Sequence, residues 1–340
     1  MDSVLFICLS VYFTRNTNMT STVNTSNSTS FSLAAKVKDY FQLIKFTLSF
    51  TVVFSCVICY LLAPNIVEYN GLMILILFTA GMLVTGSANA INQAVEKATD
   101  AMMKRTAKRP VADGRMSQQE AYTFALIAGA TGIFMMGWFF KGDDNGFNWN
   151  ATLLSAFSLF LYAFIYTPLK KVNSIAVLVG AFPGALPCLI GWVAATNMID
   201  PFGTVSANGK EFSNAGGWIL FAIQFLWQFP HFWAIAWVSH SDYSKAGFKL
   251  LPADKGPTKF TAVQGIMYSV LMIPVGILPY YFGLSGQVSM WIVMASNLFM
   301  VIQSMRLYKE MDVKAARRVM FSSYIYLPIV LLALLADKIR

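Results

Sequence analysis

Apolar segments of about 20 residues alternate with short polar connections along most of this chain and predict nine membrane-spanning helices. Their approximate limits are residues 46–63, 72–95, 119–139, 151–168, 174–195, 217–238, 261–283, 287–306 and 318–336. Hydrophobic residues make up 56% of the sequence and charged residues only 12%, which is about half of the charged share in a soluble protein. The composition therefore excludes a soluble enzyme, a disordered chain and a disulfide scaffold, and it predicts an all-α polytopic membrane protein.

The first 35 residues differ from the rest of the chain. The apolar run 4–13 is too short to span a bilayer, and the polar run 16–30 follows it. Arg15 is the only basic residue before Lys36, so the segment lacks the arginine-rich character of a mitochondrial presequence. We predict a disordered extension over residues 1–35 and one transmembrane domain over residues 36–340, placed in a bacterial inner membrane rather than a mitochondrial one.

Lysine and arginine fall almost entirely in alternate connections between the predicted spans. Twenty of the 25 basic residues lie in residues 36–45 or in the connections after the second, fourth, sixth and eighth spans, four lie on the opposite side, and the remaining one is Arg15 in the N-terminal extension. Because positively charged loops stay in the cytoplasm, this asymmetry predicts a cytoplasmic N-terminus and a C-terminus outside. The excess of basic residues on the cytoplasmic side also accounts for the net charge of +9. We therefore expect the lipid bilayer, and not a nucleic acid, as the partner of these residues.

A stripe of polar side chains follows the end of the second predicted span. Asn92, Glu96 and Asp100 are spaced by four residues, which puts one amide and two carboxylates along one face of a helix. Such hard oxygen ligands, with no His or Cys nearby, suit Mg²⁺ that is completed by substrate phosphates. Four cations that can bind phosphate oxygens come next, namely Lys104, Arg105, Lys108 and Arg109. A solvated helix end would explain the charges but not their order, so the sequence predicts a metal and phosphate site.

Other candidate residues lie at the ends of the fourth and sixth predicted spans. Tyr166 precedes Lys170 and Lys171, and these two lysines by themselves indicate membrane anchoring. Asp242 follows the sixth span as a second acidic group. His231 lies inside that span, where it is either a satisfied buried side chain or a substrate contact, acting as general acid or base or as a ligand to an iron porphyrin.

These motifs, in this order, resemble the UbiA superfamily of intramembrane prenyltransferases, and within it the branch that farnesylates heme. The resemblance rests on N-x3-E-x3-D-x2-M-x-R-T-x2-R-P with a later G-R, from Asn92 to Arg115, and on Y-T-x-L-K-K, W-Q-F-P-H-F and the segment from Asp242 to Pro252. It covers roughly residues 36–336. This chain has Glu96 where many members have aspartate. Members of the superfamily also carry a second acidic motif after the sixth span, and here that motif is reduced to Asp242.

The resemblance implies a UbiA-like bundle that joins farnesyl diphosphate to a vinyl group of heme b, adds water, and releases heme O and diphosphate. It implies Mg²⁺ held by Asn92, Glu96, Asp100 and Asp242. The diphosphate would be bound by basic side chains of two connections, namely Lys104, Arg105, Lys108, Arg109, Arg115, Lys170 and Lys171. His231 and Tyr166 would lie near the porphyrin, which is a substrate and not a permanent cofactor. The product would pass to heme A synthase or to terminal oxidase assembly.

Two other functions remain open on the sequence alone. A UbiA-type enzyme could prenylate an aromatic quinone precursor at the same site. A nine-span transporter could use the acidic stripe to gate an ion, but transporters carry ionisable groups near the middle of several spans. His231 is almost the only such group here. We therefore expect an enzyme whose site faces the cytoplasm.

Overall fold

The computed structural model describes residues 33–142, 146–253 and 256–339, so the predicted N-terminal extension lies, except for residues 33–35, outside the described residues. Over these residues the chain forms helices and one two-stranded antiparallel hairpin. The elements in chain order are α1 (Leu33–Leu43), α2 (Phe46–Leu62), α3 (Gly71–Val95), α4 (Lys97–Met102), α5 (Gln118–Phe139), α6 (Trp149–Phe160), a π-helical segment (Leu161–Tyr166), α7 (Thr167–Leu169), α8 (Ala176–Thr196), β1 (Thr204–Ala207), β2 (Lys210–Ser213), α9 (Ala215–Val238), α10 (His240–Lys245), α11 (Lys259–Tyr281), α12 (Gln287–Glu310) and α13 (Val313–Ala336).

Within the described residues, eight helical stretches are long and apolar enough to cross a bilayer. They are α3, α5, the continuous run Trp149–Leu169, α8, α9, α11, α12 and α13. These stretches coincide with eight of the nine predicted spans, so the chain is an all-helical integral membrane protein. The first predicted span corresponds to α2, which has 17 residues and forms with α1 a pair bent by 53°. The bend lies at Lys45, whose backbone is left-handed (φ 48°, ψ 57°) and cannot continue a right-handed helix.

Close packing of α8 against its neighbours depends on two glycines. A Cβ built on Gly191 would lie 1.9 Å from the backbone oxygen of Cys56 in α2. A Cβ built on Gly184 would lie 1.9 Å from the side-chain oxygen of Gln228 in α9. A Cβ at Gly191 would meet the backbone of α2, and one at Gly184 would displace the Gln228 side chain, so both glycines let α8 pack closely on α2 and α9.

The C-terminal end of α2 is capped by a residue near the C-terminus of the chain. The Lys338 ammonium donates to the backbone oxygens of Leu61, Ala63 and Ile66 at 2.7, 2.7 and 2.9 Å. The last carbonyls of a helix have no partner within the helix, and Lys338 supplies one. The opposite end of the bundle, where α2 starts, contains a cavity. The connections after α3 and α9 fold over that end and surround the cavity.

Candidate active site

A cavity of about 340 Å³ lies where α3 and α9 finish. Eight of the residues predicted from the sequence line it, namely Asn92, Glu96, Asp100, Arg105, Arg109, Tyr166, Lys170 and His231. They come from four parts of the chain: α3 with α4, the connection before α5, the π-helical segment with the residue that follows α7, and α9. The fold therefore brings together the groups that the sequence could only place on separate helices.

The acidic stripe keeps its helical register across a break in the helix. α3 ends at Val95 and α4 begins at Lys97, yet the Glu96 N–H donates to the Asn92 carbonyl (2.9 Å) and the Asp100 N–H donates to the Glu96 carbonyl (2.7 Å). The spacing of four residues is therefore preserved, and all three side chains line the cavity. Their exposed fractions are 1% for Asn92, 5% for Glu96 and 0% for Asp100, so the two carboxylates need cations inside the protein.

Each buried carboxylate is paired with a cation from another part of the chain. Nη1 of Arg109 donates to both Asp100 oxygens, at 2.9 and 2.8 Å. Nζ of Lys170 lies 2.6 Å from Glu96 Oε1 and 4.9 Å from the centre of the Tyr166 ring. The cavity wall thus alternates negative and positive groups, which can hold a metal ion and the oxygens of a diphosphate side by side.

Both ends of the Asn92 amide are engaged. Nζ of Lys45 donates to Asn92 Oδ1 at 2.8 Å, and Asn92 Nδ2 donates to Thr167 Oγ1 at 3.4 Å. Neither partner was predicted as a site residue. In the sequence Lys45 is one of three basic residues in the segment 36–45 that precedes the first span, and a lone lysine there does not distinguish anchoring from substrate binding.

A π-helical segment positions the aromatic part of the cavity wall. Tyr162 and Tyr166 both line the cavity, with their ring centres 5.3 Å apart. The Thr167 hydroxyl donates to the Tyr162 carbonyl at 2.9 Å, and Gly180 leaves room for the Tyr166 ring, since a Cβ there would lie 2.6 Å from it. π-Helical turns are frequent at functional sites. The sequence predicted Tyr166 as a site residue but neither the π-helical turn nor Tyr162.

The connection after α9 closes the mouth of the cavity. Nη2 of Arg105 donates to the Tyr243 hydroxyl at 2.9 Å, which joins this connection to the one after α3. The Lys249 N–H donates to the Lys170 carbonyl at 2.8 Å, and the Phe248 ring centre lies 5.6 Å from the Lys170 ammonium. Three connections therefore meet around the groups that face the cavity.

Five predicted site residues do not line the cavity. Asp242 is half-buried on α10, and its neighbour Tyr243 lines the cavity instead, because adjacent helical residues point about 100° apart. Lys104, Lys108 and Lys171 are exposed. Arg115 holds its own connection in place, since Nε donates to Asp39 Oδ1 and Nη2 donates to the Lys108 carbonyl, each at 3.0 Å. The predicted roles of these five residues remain predictions.

The donor set that the fold assembles consists of oxygen atoms. Among the residues that the structure describes, no three His, Cys, Asp or Glu side chains are grouped closely enough to hold a metal by themselves. Asn92, Glu96 and Asp100 supply one amide and two carboxylates. This set fits Mg²⁺, which is usually held by one or two carboxylates and completed by water and substrate phosphates.

Residues 52–326 match the family described as the UbiA prenyltransferase family. The bundle also resembles solved structures of that fold. One is a digeranylgeranylglyceryl phosphate synthase (TM-score 0.69, 21% identity, 89% of this chain and 98% of the other). Another is a UbiA homolog from Archaeoglobus fulgidus bound to GPP and Mg²⁺ (TM-score 0.61, 12% identity, 87% and 99%). The chain belongs to the UbiA prenyltransferase family.

Within this family the chain is similar to protoheme IX farnesyltransferases. It is 44% identical to the one from Cytophaga hutchinsonii, over 90% of this chain and the whole of that protein. It is 39% identical to the one from Flavobacterium psychrophilum, over 88% of this chain and 94% of that protein. It is 33% identical to the mitochondrial one from Arabidopsis thaliana, over 88% of this chain and 65% of that protein.

Proposed function

We propose that this protein transfers the farnesyl group of farnesyl diphosphate to a vinyl group of heme b and that water then adds, giving heme O and diphosphate. The main structural support for this proposal is the cavity, in which two buried carboxylates, an amide and at least three cations lie beside aromatic side chains. The relatives support the choice of substrate, since the Cytophaga hutchinsonii protein matches along its whole length and is named for this reaction.

We propose that Mg²⁺ binds at Asn92, Glu96 and Asp100, with Asp242 as the predicted fourth residue. When bound, the ion would neutralise charge on the departing diphosphate. The residues of the chain prepare this site. Lys45 holds the Asn92 amide at 2.8 Å, and Lys170 and Arg109 lie against the two acidic side chains.

Cations at the cavity bind the diphosphate in this proposal. Arg105, Arg109 and Lys170 line the cavity and can donate to phosphate oxygens, which stabilises the leaving group as the allylic carbon–oxygen bond breaks. Lys45, which the sequence did not predict, lines the same cavity. The other predicted cations, Lys104, Lys108, Arg115 and Lys171, lie in the same two connections and would attract the anionic substrate at longer range.

Aromatic faces stabilise the carbocation that this step leaves on the farnesyl group. The position of Tyr162 and Tyr166 in the cavity wall, on the π-helical segment, supports this role for them. The terminal vinyl carbon of heme b attacks the allylic carbon, and the positive charge moves to the vinyl carbon next to the porphyrin ring. Water adds there and loses a proton, which leaves a hydroxyl group. His231 and Tyr166 lie at the porphyrin end in this proposal.

We propose an inner-membrane protein of nine spans with a cytoplasmic N-terminus, an external C-terminus and a cytoplasmic active site. The distribution of basic residues supports this orientation. The ninth span would be the bent pair of α1 and α2. In the cell the product would then pass to heme A synthase or to terminal oxidase assembly.

The deciding experiment supplies purified protein with Mg²⁺, farnesyl diphosphate and either heme b or 4-hydroxybenzoate, and measures product masses. We expect a farnesylated, hydrated heme and no prenylated benzoate. Prenylation of the benzoate alone would identify a quinone-precursor enzyme. No product from either acceptor, together with ion uptake in vesicles, would identify a transporter. Asp100→Asn should lose activity, whereas Glu68→Gln, an exposed residue far from the cavity, should keep it.

A further inference from the structure

A groove of about 620 Å³ lies between α12 and α13 and shares no lining residue with the active-site cavity. One wall runs along α12 from Ile292 to Gln303, and the other runs along α13 from Arg318 to Ile329. The lining residues of each wall recur at the spacing of one helical face. Most of them are apolar, and large side chains such as Phe299 remain exposed. Because both helices are membrane spans, this groove opens toward lipid.

The α13 helix separates the groove from the active site. Ser323 and Tyr324 belong to the active-site side, since Ser323 Oγ lies 2.8 Å from His231 Nδ1 and Tyr324 lines the cavity. Their neighbours Ser322 and Ile325 line the groove. A molecule in the groove would therefore contact α13 without occupying the cavity.

The length of the groove matches one leaflet of a bilayer. Gln303 and Ile292 are eleven positions apart, and so are Arg318 and Ile329, which corresponds to about 16 Å of helix. The hydrocarbon core of a bilayer is about 30 Å thick, so the groove extends over roughly half of it. Its polar end lies toward the connection between α12 and α13. An acyl chain from the leaflet on that side can therefore lie along the apolar walls.

Gln303 is a polar side chain of the groove that the protein leaves without a partner. It is 5% exposed, and its Oε1 is buried without a hydrogen-bond partner among the described residues. Within the same part of the chain the amide nitrogen makes no hydrogen bond either. An unpaired amide is costly in apolar surroundings. The position therefore favours a ligand that brings a hydrogen-bonding atom, such as the ester carbonyl of a glycerophospholipid.

Arg318 supplies positive charge at the same end of the groove. Its guanidinium is held by Glu310, with Nη1 donating to Oε1 at 3.1 Å and Nη2 donating to Oε2 at 2.5 Å. A guanidinium has five N–H donors, so three remain for the oxygens of a phosphate. Residues 306–318 contain five basic and two acidic side chains. Such an excess favours an anionic headgroup over a zwitterionic one.

We propose that the groove between α12 and α13 binds an anionic glycerophospholipid. The phosphate lies at Arg318, an ester carbonyl accepts from the Gln303 amide, and one acyl chain follows the apolar walls. A free phosphate would leave the apolar walls uncovered, and an acyl chain alone would leave Gln303 without a partner. The binding is non-covalent and does not depend on which substrate the cavity accepts.

Native mass spectrometry of the full-length protein, released from detergent with palmitoyl-oleoyl phosphatidylglycerol or the matching phosphatidylcholine, tests the headgroup contact. We expect the wild-type protein to retain one phosphatidylglycerol under conditions that remove phosphatidylcholine. Arg318→Gln should weaken phosphatidylglycerol binding by about 10-fold or more, because it removes a hydrogen bond between charged groups. Arg317→Gln is the matched control, since Arg317 is exposed and does not line the groove. It should weaken binding less, through long-range attraction alone.

Gln303→Leu tests the amide by two measurements with opposite signs. It should weaken the binding of both lipids, because both have ester carbonyls. In lipid-free detergent it should melt at or above the wild-type temperature, because an unpaired buried amide is replaced by an apolar group. A purely structural glutamine would instead lose stability on this change.

A tryptophan pair tests the apolar walls without a change of charge. Ala295→Trp fills the groove, whereas Leu298→Trp adds the same ring at an exposed position of α12 outside it. Added phosphatidylglycerol should raise the melting temperature of the wild-type protein and of Leu298→Trp, because a ligand that binds the folded state stabilises it. It should not raise that of Ala295→Trp.

Equal losses in Arg318→Gln and Arg317→Gln, or wild-type lipid binding in Ala295→Trp, would overturn the inference. Equal affinity of the wild-type protein for the two lipids would also contradict it. A dimer mass that Ala295→Trp abolishes would assign the groove to a second copy of the chain instead. Failure of the proposed function appears separately, in the product masses obtained with heme b and 4-hydroxybenzoate, and leaves lipid retention unchanged.

Discussion

One guanidinium nitrogen of Arg109 donates to both carboxylate oxygens of Asp100, at 2.9 and 2.8 Å. The Asp100 side chain is 1% exposed and that of Arg109 is 22% exposed. The pair therefore joins a fully buried anion to a cation that still reaches the cavity. Removing Arg109 and removing Asp100 should therefore have different effects on stability. Without its partner the carboxylate has no access to water, whereas the guanidinium does.

Arg109→Ala should therefore lower both activity and stability. Loss of the guanidinium leaves the buried Asp100 carboxylate without its cation, which typically costs about 3 kcal/mol of unfolding free energy. Asp100→Asn should also abolish turnover, but with a smaller loss of stability, because Arg109 can turn to solvent. Thermal melting in detergent, measured beside turnover, tests this difference. Equal melting temperatures for the two variants would contradict it, and the double variant should melt above Arg109→Ala while remaining inactive.

Lys170 and Lys171 form a natural pair of test and control. The first is buried against Glu96, with Nζ 2.6 Å from Oε1, whereas the second is exposed. Loss of a group that stabilises charge in the transition state typically lowers kcat by about 100-fold or more. We expect that loss in Lys170→Met and a change of only a few-fold in Lys171→Met, measured as kcat/KM for farnesyl diphosphate. A change of only a few-fold in both variants would mean that the lysines act only as anchors.

Lys45 should determine how the amide of Asn92 is presented to the metal. Lys45→Met removes the donor that lies 2.8 Å from Asn92 Oδ1, so only the 3.4 Å contact with Thr167 still orients the amide. We expect a higher Mg²⁺ concentration for half-maximal protection of bound farnesyl diphosphate, measured separately from turnover. Lys38→Met changes an exposed lysine of α1 and should leave this concentration unchanged. A Lys45→Met protein with the wild-type Mg²⁺ requirement would show that the contact is structural.

The parts of the site that could be predicted are those in which spacing along one helix determines the geometry. Asn92, Glu96 and Asp100 are such a set, because residues four apart share a helical face. Lys45 and Ser323 are 47 and 92 residues away from their partners Asn92 and His231. Their contacts depend on which spans are neighbours in the bundle, and one sequence does not specify that.

Asp242 shows a limit of a different kind. The motif points to the connection after α9, and on the short helix α10 the cavity is lined by Tyr243 and not by the aspartate. A shift of one residue rotates the side chain by about 100°, and the apolar pattern of a six-residue helix is too short to define which face is buried. Helix limits, by contrast, were predicted well, because apolar spans are long and end at polar residues.

Lys338 should stabilise the fold without affecting the chemistry. Its ammonium donates to three backbone carbonyls at and just beyond the end of α2, and hydrogen bonds to charged groups contribute about 1.5–3 kcal/mol each when partners are buried. Because Lys338 is half-buried and its carbonyls can partly turn to water, we expect Lys338→Met to lose about 2–4 kcal/mol in total. The melting temperature in detergent should fall, while KM for farnesyl diphosphate stays at its wild-type value, since the cavity lies at the opposite end of α2. Lys210→Met, an exposed lysine at the start of β2, is the control and should melt as the wild-type protein does. An altered KM in Lys338→Met at unchanged melting temperature would show that the two ends of the bundle are coupled.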